Sequence, residues 1–187
     1  IVYVLCLMIS ALLLTACAGD TSLYIASSHP VTESSCLPNT SIISGGGILD
    51  TSLQQEAFGT YILGLQIKNE MDNSDTSTSP SSRNHFYLRH LLIEANVDGE
   101  VIEEVLDVSG ACAPGGTLLL STSIIGTDTF KAMNAAASTD ELKTADIKIK
   151  AKGKLAGGQW VVSPGYHFPI SFYSSGGSPS VDVCEGT

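Results

Sequence analysis

Positive charge is scarce in this chain: nine Lys and Arg stand against nineteen Asp and Glu, a net charge of −10. Nucleic acid is excluded as a partner on that ground, because phosphate binding needs a net basic footprint. Charge of either sign is thin, at 15% of residues, and windows rich in Ala, Leu, Glu and Lys are missing, so long helices are excluded too. No apolar run is long enough to span a bilayer: residues 1–16, IVYVLCLMISALLLTA, would reach only about 24 Å as a helix against a hydrocarbon core of roughly 30 Å. Catalytic frames are equally wanting. No Gly-x-Ser-x-Gly elbow occurs, and His29, His85, His90 and His167 sit in no recognisable nucleophile frame. The acidic stretch Asp72-Asn73-Ser74-Asp75-Thr76 lacks the central glycine and closing glutamate of a calcium loop. Glu103 and Glu104 are adjacent, so on a strand they face opposite sides and cannot share a substrate. Cys112, between Ala111 and Ala113, has no electropositive neighbour in sequence to make it a thiolate. The expectation is a protein without catalytic residues, cofactor or metal.

What is present begins with small residues, Thr15 and Ala16, ahead of Cys17 at the end of the apolar run, as a signal-peptide cleavage site requires. Leu14-Thr15-Ala16-Cys17 resembles the lipobox of bacterial lipoprotein precursors. That resemblance implies diacylglycerol on the Cys17 thiol, cleavage before it, and a further acyl chain such as palmitate on the freed amine. Two or three chains, at about 0.8 kcal/mol per buried methylene, would hold a folded domain at a lipid bilayer. By the same resemblance, Ala18 in place of aspartate implies an outer-membrane destination within the cell envelope. The expected organisation is a signal peptide at 1–16, a lipidated flexible tether at 17–35 and a single domain at 36–187. The chain opens on Ile1 with no methionine or basic n-region, so a sequence truncated at its start is expected.

Five cysteines occur. With Cys6 in the signal and Cys17 lipidated, Cys36, Cys112 and Cys184 are left in an oxidising compartment, so one disulfide and one free thiol are expected. Joining Cys36 to Cys184 would bracket the domain, a closure of roughly 5 kcal/mol on the chain-entropy view. Cys36–Cys112 and Cys112–Cys184 remain open alternatives.

Along the chain, three consecutive glycines in Ser41–Leu53 (SIISGGGILDTSL) predict a bulge or sharp crossing between two strand pieces. Thr60–Lys68 alternates Tyr61, Leu63, Leu65 and Ile67 on one face, a strand by its period of two. Phe86–Val97, whose alternation slips near His90-Leu91, and Glu100–Val108 flank Asp98-Gly99, a strong hairpin signal. Ser109–Gly116 reads as a turn, and Thr117–Ile125 as an apolar strand in mid-sheet. The one crossover helix is expected near 128–137, with Phe130, Met133 and Ala137 at helical spacing and Asp128 capping the amides. Ser138–Glu141 has capping-box spacing for a second helical turn. Strand pattern returns from Ala145, and turns divide off Trp160–Val162, Tyr166–Tyr173 and Val181–Cys184. Eight or nine short strands and one helix predict an all-β, immunoglobulin-like β-sandwich, with a barrel as runner-up.

Cys36-Leu37-Pro38, Gly47-Ile48-Leu49-Asp50, Tyr61–Asn69, Pro114-Gly115-Gly116, Lys152–Gly158, Phe168-Pro169-Ile170 and Val183-Cys184-Glu185-Gly186, in this order, resemble uncharacterised lipoproteins of myxobacteria and related deltaproteobacteria. The likeness covers most of 36–186 and brings no activity with it. In that family a further cysteine follows the Val-Cys-x-Gly element, where this chain has Thr187.

Two features bear on partners. Lys148, Lys150, Lys152 and Lys154 alternate, so a strand would show them on one face about 7 Å apart. The favoured reading is protection of a solvent-facing or edge strand from unwanted pairing; the other is a docking strip for an acidic partner, a phosphorylated headgroup or an anionic glycan. Trp160, Tyr166, Phe168, Phe172 and Tyr173 cluster late in the chain and predict either core filling or an aromatic platform. The expected role is a non-catalytic structural or interaction module meeting an envelope protein or glycan. A ligand-binding lipoprotein for glycan or peptide is the second reading, an unrecognised hydrolase the third.

Overall fold

In the computed structural model, residues 22–32, 35–53, 61–71 and 83–176 are described. Period-two patterning dominates them. Ile147, Ile149 and Ala151 of β7 (Lys143–Leu155) are fully buried while the intervening lysines point outward, each buried isoleucine contributing about 1.5–3 kcal/mol. The longest pairing is the hairpin of β4 (Phe86–Val97) and β5 (Glu100–Cys112). Its turn residues Asp98 and Gly99 have φ of +52° and +89°, the left-handed pair that a two-residue turn needs to match strand twist.

The described strands form two sheets. In the smaller, β3 (Ile62–Asn69) lies between β1 (Leu23–His29) and β6 (Thr117–Ser123), all antiparallel. In the larger, the order is β2 (Gly47–Asp50), β9 (Tyr166–Tyr173), β7, β4, β5, with β8 (Trp160–Val162) pairing the far end of β7. Only β2 runs parallel to its neighbour. One hydrophobic cluster fills the space between the sheets: Leu65 and Ile67 from one meet Leu91, Ile147 and Phe168 from the other. This is an all-β sandwich. Helix α1 (Thr127–Ala136) joins β6 to β7 and covers the core with Phe130 and Met133.

Several expectations are corrected by pairing. Residues 23–29, assigned to the tether, form β1, because Leu23 and Ile25 reach the core while the backbone completes a ladder with β3. The strand at 117–123 is an edge of the small sheet rather than its middle, and Leu119 is correspondingly exposed. Strand β5 continues through Cys112, so the turn shrinks to 113–116. Of the two strand pieces around the glycines, only β2 forms; Gly46, at φ +87°, lies so close to the Pro169 carbonyl that a Cβ would stand 2.3 Å from its oxygen. No helical turn follows Ser138, whose hydroxyl instead accepts from the Asp140 amide at 3.2 Å. The predicted strand 181–184 lies outside the described residues.

Candidate binding face

Across β8, β7, β4 and β5 the register aligns side chains into rows on the outer, solvent side of the large sheet. Trp160, Lys154 and Tyr87 make the first row; Val162, Lys152, His90 and Asp107 make the second. Lys150, Leu92 and Val105 follow, then His167, Lys148, Glu94 and Glu103. The slip expected near His90 is a bulge between Leu88 and His90. It inserts Arg89, an exposed cation, beside the second row.

These rows enclose a shallow recess of about 480 Å³ lined by Arg89, His90, Asp107, Val108, Lys154 and Trp160. Trp160 is 47% exposed. Lys154 Nζ stands 4.9 Å and Lys152 Nζ 5.5 Å from the ring centroid, and the His90 ring lies 6.2 Å away and nearly parallel. His90 Nδ1 meets Asp107 Oδ1 at 2.9 Å, which orients the imidazole.

The four lysines divide. Lys148 binds both oxygens of Glu94 at 3.1 Å, whereas among the described residues no carboxylate lies within 4.0 Å of Lys150, Lys152, Lys154 or Arg89. All four lysines face solvent, as expected. Strand β7 is nevertheless paired on both sides, by β4 and by β9 and β8 in turn, with β5, β2 and the short β8 at the sheet edges. Guarding an edge is therefore not their role.

The other singled-out residues are scattered. Phe168 and Phe172 are core, and Tyr166 reaches Ser28 Oγ at 3.0 Å between the sheets. His167 pairs with Asp146 at 2.8 Å on the exposed face. Cys112 is a free thiol, buried, with its pKa pushed up by burial. Cys36 is not free, and since Cys112 is, the two are not joined. Cys17, Cys184 and the stretch 72–76 fall outside the described residues. Among the described residues no group of three or more His, Cys, Asp or Glu is placed to hold a metal, and no helix is long and apolar enough to cross a membrane.

Two arrangements escaped sequence reading. Glu103 and Glu104 do face opposite sides, but Glu104 turns in to accept hydrogen bonds from the amides of Asp128 at 3.0 Å and Thr129 at 3.2 Å, and from the Thr129 hydroxyl. It caps α1 in place of Asp128, across 24 residues. The N-cap is Gly126, where a Cβ would stand 2.2 Å from the Glu104 carboxylate. The second is a buried Ser–His contact. His29 Nδ1 donates to the Ser41 carbonyl at 2.8 Å, which leaves Nε2 to meet Ser27 Oγ at 2.8 Å. Ser27 and His29 are only 7% and 5% exposed, neither lines the recess, and a carbonyl rather than a carboxylate orients the ring. The pair pins the loop before β2 onto β1. Alternation in LYIASSH was the available signal for it.

No family model matches this chain, and no curated protein matches it.

Proposed function

We propose that this chain is an envelope lipoprotein, anchored by acyl chains on Cys17 in the outer membrane, whose sandwich serves as a non-catalytic interaction module. The observation that carries the interaction reading is the outer face of the large sheet. There a half-exposed tryptophan on the short edge strand β8 stands over cations with no described carboxylate partner on β7 and β4, which are paired on both sides. The lipobox sequence supports the anchor. Within this reading Cys36 pairs with Cys184, which would tie the start of the domain to its end.

The anchor is tested with Cys17→Ser. Metabolic labelling with an alkyne fatty acid should mark the wild type and miss the variant, and the variant should leave the envelope fraction. A variant that stays with membranes after a high-salt wash overturns the proposal.

A further inference from the structure

We infer that the recess beside Trp160 binds an acidic saccharide, a pyranose chain carrying carboxylates. The inference rests on reading this face as an interaction surface and is independent of the anchor.

The cations demand an anion first. Lys152 and Lys154 converge on one indole, at 5.5 and 4.9 Å from its centroid. The ring quadrupole attracts both ammoniums but carries no net charge. Two like charges are thus held together, with Arg89 on the same recess and no described carboxylate within 4.0 Å of any of the three. In a protein of net charge −10 this local reversal offers a carboxylate a charge-assisted site. Lys150 extends it along the strand by about 7 Å.

The recess also contains what a purely anionic surface would avoid. Asp107, whose side chain is 91% exposed, lines it beside His90, and Glu94 and Glu103 share the face two rows away. A bare phosphate would meet the cations but offer these carboxylates no donor. A ligand bearing hydroxyls as well as an anion satisfies both: hydroxyls donate to Asp107, the anion lies on Lys154 and Arg89, and an apolar ring face covers the exposed part of the indole. An acidic peptide fits less well. Its carboxylate side chains can meet the cations but lay no ring face on the Trp160 indole.

Trp160 is the chain's one tryptophan, so its fluorescence reports on the recess directly. The purified protein, in detergent micelles, is titrated with a short oligogalacturonate, a neutral oligosaccharide of equal length, poly-glutamate, and glycerol phosphate as a water-soluble phosphate headgroup. Oligogalacturonate should shift or quench Trp160 emission. It should bind roughly tenfold or more weakly to K152Q/K154Q and to Asp107→Asn, as loss of charge-assisted hydrogen bonds predicts. The variants should melt with the wild type. The inference is overturned if oligogalacturonate leaves the emission unchanged or binds no better than the neutral sugar. It is equally overturned if poly-glutamate or glycerol phosphate binds as tightly, or if Asp107→Asn strengthens binding. Such failure with Cys17 still acylated would remove the ligand and leave the anchored module standing; failure of labelling with binding intact would do the reverse.

Discussion

Cys112 shows how burial decides the chemistry of a side chain. Its Sγ points between the sheets, 3.7 Å from the Ala113 carbonyl and 4.0 Å from that of Ile67, and desolvation disfavours the thiolate, which is the reactive form. A raised pKa means less thiolate at any pH below it. Native protein should therefore resist alkylation at mildly alkaline pH and react fully once unfolded in guanidinium, with mass spectrometry counting one added group on Cys112 in non-reduced material. Rapid native alkylation would show that the thiol is open to solvent. The lack of an electropositive neighbour in sequence made Cys112 legible as a disulfide partner or an inert thiol rather than a reactive one. Its burial was not, because the stretch around it reads as a turn, and only pairing of Phe86 with Cys112 continues β5 that far. Gly153 is a similar case: a Cβ there would meet the Tyr87 carbonyl at 2.1 Å and the Phe86 ring at 2.6 Å, a constraint set by a neighbouring strand.

At the scale of elements, the hairpin and α1 differ in how far their own residues specify them. Asp98-Gly99 carries its turn locally. The helix, at Thr127–Ala136, shows its apolar face in sequence but borrows its cap from Glu104 on β5. A carboxylate near free amides gains from hydrogen bonds and from the helix dipole, so Glu104→Ala should lower stability by about 1–2 kcal/mol. Glu104→Gln, which keeps an acceptor but no charge, should lose less. Chemical denaturation of the two variants beside the wild type measures this, and equal stability of all three would show that α1 needs no cap from β5. Asp128, the residue sequence reasoning chose, should tolerate alanine in the same assay.

For the whole molecule, a tie between distant parts of the chain makes the fold sensitive to acid. Asp50, at the end of β2, accepts hydrogen bonds from the Ser52 amide at 3.1 Å, the Ser52 hydroxyl at 2.7 Å and the Ser175 amide at 3.1 Å. Burial pulls its pKa upward, but the hydrogen bonds from Ser175 and Ser52 outweigh this and leave it below the ordinary 3.8. A depressed carboxyl stabilises the fold above the unfolded-state value and loses that contribution as pH falls through the folded one. Stability should thus decline as pH drops below about 4, and Asp50→Asn should flatten that decline while lowering stability at pH 7. Thermal melts from pH 2 to pH 7 provide the check. An acid limb identical in both proteins would assign the pH dependence to other carboxylates.

Sequence alone determined the all-β class, the hairpin, the core face of β7, the break in alternation near His90 and the outward row of lysines, since each follows from a period or a dipeptide within a few residues. Tertiary structure alone decided which strands are edges, that 23–29 is a strand, that Glu104 caps a helix 24 residues away, and that Trp160 stands beside Lys152, Lys154 and His90. The division follows from the range of the forces. Backbone sterics and hydrophobic alternation act between neighbours in the chain, while strand order and register set which distant side chains meet, and the recess is made wholly of such meetings.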